Sequence, residues 1–256
     1  MDDSISTSTK DNEQKPQDYS SMSIADLRLL LTRRGFDCSV CLEKSDLINA
    51  ARRLDATNYD EEAHRLFRQL NLQPTLARQY QNLNAIWKHP DTGGTVYVGN
   101  ATAASNRVIL DERNIRAVMN CQGAKSENYF EDDPKFSYHR FVVSTLACRM
   151  SLQHRAAQQS PDTPVVMTPL QGGFQQAFDF ITTHVELGHS VLIHCLAGAH
   201  RAGTVGTAWI MYKTGQDVQT SLALAKKCRP IISPFGLLLE LLHYLETELQ
   251  NNKNQT

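Results

Sequence analysis

Cys195 and Arg201 are the residues of this 256-residue sequence whose types and spacing most clearly predict chemistry. Cys195 ends the apolar run SVLIHC, and Arg201 stands six positions later, before a helical pattern. Gly198 lies between them and allows the backbone to approach a bound group closely. A strand, a short loop and a helix in this order place backbone N–H groups at a helix N-terminus, where they bind anions. The segment therefore predicts a phosphate-binding loop.

The chemistry predicted for this loop is nucleophilic attack on phosphorus by Cys195. A helix N-terminus and a nearby arginine favour the thiolate form of a cysteine, which is the nucleophile. The planar guanidinium of Arg201 can meet two phosphoryl oxygens at once. His194 is expected to hold the loop by hydrogen bonding. The candidate phosphate-binding residues are Leu196, Ala197, Gly198, Ala199, His200 and Arg201.

A simpler interpretation is a buried cysteine beside an unrelated surface arginine. That arrangement would not require a strand before the cysteine, a glycine within the loop and a helix after it. The phosphate-binding interpretation explains all three features.

The elements that must position the loop alternate between strand and helix. Apolar, β-rich patterns predict strands at 95–99, 117–121, 138–143 and 190–195. Helical patterns occupy 104–114, 174–187, 203–213, 218–228 and 237–249. Such alternation is typical of an α/β domain with a mostly parallel central sheet flanked by helices.

The segment HCLAGAHR, residues 194–201, matches the His-Cys-x-x-Gly-x-x-Arg signature of the protein tyrosine phosphatase superfamily. Three further segments resemble its dual-specificity branch, and they are VYVGNATAASN, AFDFI and CRPIISPFG. The resemblance covers residues 85–249. It implies a phosphotyrosine protein phosphatase-like fold, a phosphocysteine intermediate on Cys195, an Asp general acid, and no metal or other cofactor.

Three positions depart from this family in ways that affect turnover. Ala202 stands where the family has Ser or Thr, whose hydroxyl stabilises the departing thiolate. Phe235 stands where the family commonly has an Asn that braces the loop. Val143 is followed by Ser144, where the family has its general acid, and loss of such an acid costs about 10²–10⁴ in rate. An active protein phosphatase and a low-turnover pseudophosphatase that binds phosphoproteins both remain open.

Asp162 is the one carboxylate between Thr145 and Phe174, a segment longer than the family norm. Counted back from the following helix, Asp162 lies close to where the family's acid falls. Two interpretations remain: Asp162 is the general acid after an insertion, or it is a solvated turn residue beside Pro161 and Pro164.

The variable positions of the loop carry no lysine and give no support for a highly anionic inositol substrate. His200 is the titratable group among them, and a histidine is only partly charged near neutrality. The resemblance therefore implies a phosphoprotein substrate, with phosphotyrosine first and phosphoserine or phosphothreonine second. A rhodanese-like protein or an arsenate reductase is a third interpretation. It is disfavoured because low-molecular-weight arsenate reductases carry the cysteine loop near the domain N-terminus.

A small helical module precedes this domain. Ile24, Leu27 and Leu31 recur at helical spacing, Gly35 interrupts the pattern, and a second helix is predicted from near Glu43. Residues 24–54 resemble the helix-extended-helix SAP module, whose members often contact DNA. Because acidic residues offset the basic ones here, a protein partner is favoured over nucleic acid.

Six cysteines are expected to be thiols, and they are Cys38, Cys41, Cys121, Cys148, Cys195 and Cys228. Cys38 and Cys41 form a Cys-x-x-Cys pair, which is compatible with half a zinc site or a redox pair. No second Cys/His pair follows at zinc-finger spacing, so we predict no metal site.

These patterns divide the chain into five predicted regions. They are a disordered tail (1–21), the SAP-like hairpin (22–55), a helical connector (56–84), the catalytic domain (85–250) and a second disordered tail (251–256). The helical pattern of the connector runs on through 76–87. A net charge of −1 and the lack of an apolar run of ~20 residues predict no attraction to membranes. With no signal or transit pattern at its start, a cytoplasmic or nuclear protein is expected.

Overall fold

The computed structural model describes residues 18–33, 36, 38, 41, 43–56, 58–72, 80–159 and 167–253. Gly35, Asp162 and the first residues of the predicted helix at 76–87 lie outside these described residues.

The centre of the fold is a mixed sheet in which the described strands have the order β1-β2-β5-β3-β4. The strands are β1 (Leu83–Lys88), β2 (Thr95–Gly99), β3 (Ile115–Asn120), β4 (Ser137–Arg140) and β5 (Ser190–His194). Only β1 is antiparallel to its neighbour; β2, β5, β3 and β4 run parallel. The predicted α/β fold with a mostly parallel sheet flanked by helices is confirmed.

The helices described in the structure are numbered in chain order. They are α1 (Ile24–Arg33), α2 (Lys44–Ala56), α3 (Tyr59–Leu72), α4 (Ala101–Ala104), α5 (Arg107–Glu112), α6 (Val143–Gln159), α7 (Gln175–Glu186), α8 (Arg201–Thr214), α9 (Val218–Cys228) and α10 (Leu237–Lys253). A 3₁₀ turn (Tyr19–Ser21) precedes α1, and a π-helical turn (Leu170–Phe174) precedes α7.

The central strand β5 is buried along its whole length. Val191 and Ile193 face the larger core, which they share with Trp209 of α8. Leu192 faces the opposite side and joins a smaller core with Leu110 of α5. Successive strand residues point to opposite faces, so a strand covered on both sides needs a continuous apolar run.

The strand β1 corrects the predicted helix at 76–87. Leu83 and Ile86 are buried at a spacing that also fits a helix, which explains the error. Antiparallel pairing with β2 decides the conformation, and Trp87 packs edge-on against Trp209 with ring centroids 5.4 Å apart.

The helix α6 corrects the predicted strand at 138–143, which extends too far. The strand β4 ends at Arg140, and α6 begins at Val143. Leu146, Ala147 and Met150 recur at helical spacing and are buried in the larger core. Contacts of α6 with α2 and α10 follow from this face.

The N-terminal hairpin, formed by α1 and α2, shares the core of the catalytic domain. Leu27 and Leu47 are buried in the same cluster as Trp209. Arg53 of α2 donates a hydrogen bond to Ser151 Oγ (2.5 Å), whose hydroxyl donates to Glu240 Oε2 of α10 (3.1 Å). The hairpin is therefore packed onto the α/β domain by apolar and polar contacts.

Both predicted tails are too long. Tyr19 is buried within the 3₁₀ turn, so the prediction of disorder through residue 21 is wrong for Tyr19–Ser21. The helix α10 continues to Lys253, so residues 251–253 are helical. Within the described part of the chain, no helix combines the length and apolarity needed to cross a bilayer.

Replacing Leu27 by Ala should destabilise the catalytic domain as well as the hairpin, because the two share one core. We expect the free energy of unfolding to fall by about 2–5 kcal/mol. The chain's two tryptophans, Trp87 and Trp209, lie in the catalytic domain, so denaturation followed by their fluorescence should report the loss. Leu29→Ala, on the exposed side of α1, is the matched control and should leave the midpoint unchanged. A tryptophan transition insensitive to Leu27→Ala would contradict the shared core.

Candidate active site

Cys195 lies at the C-terminal end of the central strand, between β2 and β3. Its amide donates to the carbonyl oxygen of Gly99 at the end of β2 (3.4 Å). The carboxyl ends of parallel strands form the usual binding edge of an α/β sheet. The helix α8 begins at Arg201, two residues before the predicted start at Gly203. The Cys195 loop, residues 195–201, therefore runs from a strand end directly into a helix N-terminus.

Five consecutive carbonyl oxygens of the Cys195 loop are each held by a hydrogen-bond donor. The pairs are the Ala101 amide to Leu196 (3.2 Å), the Tyr80 hydroxyl to Ala197 (3.1 Å), Arg229 Nε to Gly198 (2.8 Å), the Ser233 amide to Ala199 (3.0 Å) and the Thr204 amide to His200 (2.8 Å). The N–H and C=O of a trans peptide point in opposite directions, so the following amides face the interior of the loop. Inward amides are what an anion-binding cradle requires.

The sulfur of Cys195 lies among these inward amides. Gly198 donates its N–H to Cys195 Sγ at 3.3 Å. Within the described residues the amides of Ala197, Ala199 and His200 have no acceptor. These N–H groups are available to an anion next to the sulfur.

The conformation of the loop requires glycine at position 198. Gly198 has φ +67°, in the left-handed region that side chains rarely adopt. A Cβ atom there would lie 2.4 Å from the carbonyl oxygen of Gly99 and 2.8 Å from Arg229 Nη2. The loop thus approaches its supports too closely for any side chain.

Arg229 fixes the loop, and the sequence analysis did not assign it this role. Its Nε and Nη2 atoms donate to the carbonyls of Gly198 (2.8 Å) and Ala197 (3.1 Å). Its Nη1 donates to the carbonyl of Gln81 (2.8 Å) and to Asn84 Oδ1 (2.6 Å). One guanidinium thereby ties the Cys195 loop to the segment that enters β1.

Tyr80 is a second support that the sequence analysis missed. Its hydroxyl donates to Ala197 and accepts a hydrogen bond from Asn100 Nδ2 (2.8 Å). Burial raises the pKa of Tyr80, against the lowering effect of Asn100 and Arg229. Burial also lowers the pKa of Arg229. The segment CRPIISPFG marked the position of Arg229, but no local pattern marked Tyr80.

The role of His194 in holding the loop stays a prediction. Burial, with the cations of Arg140 and Arg201 nearby, lowers the pKa of His194 to about 3. Its ring is therefore neutral at physiological pH. Neither ring nitrogen makes a well-aligned hydrogen bond within the described residues, but an interaction with the backbone of Cys195 partly offsets the lowering of the pKa, as donation from the ring to the Cys195 carbonyl would.

His200 and Phe235 pack together at the edge of the loop. His200 Nδ1 donates to the carbonyl of Ser233 (2.8 Å), and its ring meets Phe235 edge-on at 4.9 Å. Burial lowers the pKa of His200, against the raising effect of Ser233 and Glu62. Phe235 thus supports the loop by packing, where the family's Asn would use hydrogen bonds.

Arg201 is nearly removed from solvent, with 4% of its surface exposed. Its Nη1 lies 3.5 Å from Asp60 Oδ2, and its Nη2 bonds the other carboxylate oxygen. Burial disfavours the charged form, but the negative charges of Cys195 and Asp60 outweigh burial and raise the pKa of Arg201. Asp60 belongs to α3, in the predicted connector. Asp60 is one of several acidic residues in the first turn of α3, so its sequence context did not predict this contact.

The groups that assist turnover in the family are absent at their usual positions. Ala202 is completely buried and carries no hydroxyl. The hydroxyl of Thr204 donates to the carbonyl of His200 (2.8 Å), so Thr204 does not replace the hydroxyl that is missing at position 202. The helix α6 begins at Val143 and has no acidic residue in its first turn. The role of Asp162 stays a prediction.

Within the described part of the chain, no cluster of three or more His, Cys, Asp or Glu has the geometry for a metal ion. The interpretation of Cys38 and Cys41 as a zinc or redox pair gains no support from these residues.

A protein family and several known proteins are similar to this chain. A family profile described as "Dual specificity phosphatase, catalytic domain" matches residues 96–247. Dual specificity protein phosphatase 1 of Arabidopsis thaliana is 27% identical over 155 residues, which are 60% of this chain and 67% of that protein. Dual specificity protein phosphatase 1 of Mus musculus is 29% identical over 161 residues, covering 60% of this chain and 38% of that protein. A solved mouse putative dual specificity phosphatase complexed with zinc tungstate is 19% identical, with TM-score 0.49, covering 67% of this chain and 91% of that chain.

The profile spans more than half of the sequence, so the chain belongs to the dual specificity phosphatase family. It carries a protein phosphatase catalytic domain, and the resemblance drawn from residues 194–201 is confirmed at this level. The chain spans little more than a third of the mouse relative. The family match leaves residues 24–54 uncovered, so the SAP-like resemblance of the hairpin stays a prediction.

Replacing Arg229 by Met should collapse the anion cradle, because Met fills similar space but donates no hydrogen bonds. Loop carbonyls would be left buried without donors, which costs about 2–4 kcal/mol of unfolding free energy. We expect the affinity for tungstate to fall about tenfold or more in titration calorimetry. Arg113→Met, at an exposed arginine, is the matched control. Unchanged tungstate affinity in Arg229→Met would show that the loop keeps its shape without this residue.

Proposed function

We propose that this chain is a cysteine-dependent protein phosphatase that hydrolyses phosphotyrosine, with phosphoserine and phosphothreonine as secondary substrates. The observation that carries the proposal is the arrangement of inward amides around Cys195 Sγ, with the Arg201 guanidinium beside them. The matched relatives are dual specificity protein phosphatases, which supports the same substrate class.

In the first step, Cys195 Sγ attacks the phosphorus of the bound monoester. An S–P bond forms, the P–O bond to the leaving group breaks, and the leaving oxygen takes up a proton. The inward amides and Arg201 bind the remaining phosphoryl oxygens, whose negative charge they stabilise through the transition state. Asp162 is the candidate proton donor.

In the second step, water attacks the phosphocysteine. The S–P bond breaks, inorganic phosphate leaves, and the thiolate of Cys195 is restored. In the family a hydroxyl after the arginine assists this departure. Ala202 supplies none, so we propose that the second step is the slow one.

A monoester of low charge fits the loop better than a highly anionic substrate. Leu196, Ala197 and Ala199 are apolar, and the lowered pKa of His200 leaves its ring largely neutral near pH 7. Arg201 is thus the cation within the loop. One cation matches one phosphoryl group, as in a phosphorylated protein side chain.

A second candidate function is a pseudophosphatase that binds phosphoproteins with little turnover. It is favoured by the buried Ala202 and by the first turn of α6, which lacks an acid. In this reading, too, phosphate occupies the Cys195 loop. We further propose that the N-terminal hairpin serves a protein partner inside the cell, in the cytoplasm or the nucleus.

Replacing Cys195 by Ser should abolish hydrolysis of para-nitrophenyl phosphate. This aryl ester has a good leaving group and depends least on a general acid. We expect the rate to fall by about 10³-fold or more, because the nucleophile is lost. Cys228→Ser, at an exposed thiol of α9, is the control and should retain the wild-type rate. Equal rates for Cys195→Ser and the wild type would refute the enzymatic proposal.

Replacing Ala202 by Ser should accelerate release of phosphate from phosphocysteine. In rapid-mixing experiments we expect the initial burst of product to keep its size while the steady rate rises about tenfold, as one hydrogen bond to a charged group allows. Ala208→Ser, at another buried alanine of α8, is the matched control. A wild type without a burst, and a steady rate unchanged by Ala202→Ser, would place the slow step elsewhere.

A further inference from the structure

The helix α3 lies across the opening of the Cys195 loop. Ala63 of α3 is buried in a small apolar cluster with Ala197 and Ala199 of the loop. Leu66 and Phe67 of the same helix pack against this cluster. These positions follow helical spacing from Tyr59 and Asp60, so one face of α3 covers the loop.

Asp60, in the first turn of α3, binds Arg201, the arginine that is proposed to bind phosphate. The two carboxylate oxygens of Asp60 meet the two terminal nitrogens of Arg201. A carboxylate matches the fork of a guanidinium in the same way as two phosphoryl oxygens do. The Asp60 side chain is 51% exposed while that of Arg201 is 5% exposed. Asp60 thus reaches from the surface into the place where a phosphoryl group would bind.

Residues that support the loop also hold α3 in place. Tyr59 packs on Phe235 with ring centroids 5.2 Å apart, and Phe235 packs on His200 of the loop. Further along α3, Phe67 meets Tyr80 edge-on at 6.1 Å. The start and the middle of α3 therefore contact Phe235 and Tyr80, two residues that support the Cys195 loop.

The covered loop does not admit a phosphorylated side chain in this conformation. Cys195 is 3% exposed, and Ala197 and Ala199 have no exposed surface. A phosphoprotein substrate must bring its phosphorus to Cys195 Sγ and two of its oxygens to Arg201. Both positions are reached only when α3 moves away.

We propose that α3 is an autoinhibitory lid in which Asp60 takes the place of the substrate phosphoryl group on Arg201. Lid closure and anion binding then compete for one guanidinium. The inference rests on the phosphate-binding role proposed above for the Cys195 loop. A competing intramolecular contact lowers the apparent affinity of every phosphoryl ligand by the fraction of molecules that are open.

Asp60 could alternatively supply the missing general acid, since α3 brings it to the site. Its position argues against this, because a general acid must face the leaving oxygen while Asp60 sits on the guanidinium that the phosphate needs. The two roles predict opposite effects of removing the carboxylate. Loss of a lid contact raises kcat/KM because the substrate binds more easily, whereas loss of a general acid lowers kcat/KM.

The test replaces Asp60 by Asn in the full chain and measures two quantities that need no turnover. These are the affinity for sodium tungstate by calorimetry and the rate at which iodoacetamide modifies Cys195, read by peptide mass. We expect both to rise about tenfold, as loss of a hydrogen bond between charged groups implies. Glu61→Gln removes an equal charge from the same turn at an exposed side chain that does not touch Arg201, and should change either quantity less than about twofold.

A second variant separates the lid from the effect of charge. Ala63→Trp adds bulk without charge where α3 meets Ala197 and Ala199, so the lid cannot close. We expect it to raise tungstate affinity and Cys195 modification as Asp60→Asn does.

Equal behaviour of Asp60→Asn and Glu61→Gln, together with no effect of Ala63→Trp, would overturn the lid. Slower hydrolysis of phosphotyrosine, which has a poor leaving group, in Asp60→Asn at unchanged tungstate affinity would overturn it in favour of a general acid. Higher tungstate affinity in both lid variants with no hydrolysis by any variant would support the lid and reject the enzymatic function proposed above.

Discussion

Arg201 is a cation almost removed from water, and the site depends on keeping it paired. An isolated buried guanidinium costs several kcal/mol, and removing the partner of a buried ion typically costs about 3–5 kcal/mol. Cys195 supplies negative charge from the end of the sheet, and Asp60 supplies it from α3. A substrate phosphoryl group would bring a third source. Arg201 therefore exchanges one anion for another. Its charge is paired with Asp60 when α3 covers the loop and with the phosphoryl group when a substrate is bound.

The packing of the N-terminal hairpin keeps Asp60 close to Arg201. The inserted helix α6 gives α2 a surface to pack on, and Ser151 links Arg53 of the hairpin to Glu240 of α10. A hairpin fixed in this way holds α3 near the Cys195 loop at high effective concentration, so a modest contact suffices to close it. The same packing explains why the N-terminal module is part of the catalytic domain's core.

The sequence predicted what local pattern encodes and missed what distant contacts create. The loop from Cys195 to Arg201 was predictable because strand, glycine and helix start are neighbours in the chain. The strand β1 was mistaken for helix because Leu83 and Ile86 stand at helical spacing, whereas in the strand they belong to the cores on opposite faces of the sheet. Arg229 supports the loop from another segment, and no pattern near residues 194–201 indicated this contact. Asp60 reaches the site only through tertiary packing, so no sequence motif around Asp60 predicts its contact with Arg201.

The residues that support the Cys195 loop determine when the loop can form while the protein is being synthesised. Tyr80 lies 117 residues before Ala197, and Arg229 lies 31 residues after Gly198. Contacts so far apart in sequence form late, after the sheet has brought their segments together. A nascent chain that has not yet exposed Arg229 cannot shape the cradle, although its cysteine is already outside the ribosome. The sulfur of Cys195 thus acquires this pocket only after Arg229 has emerged, by which time α3 is ready to cover it.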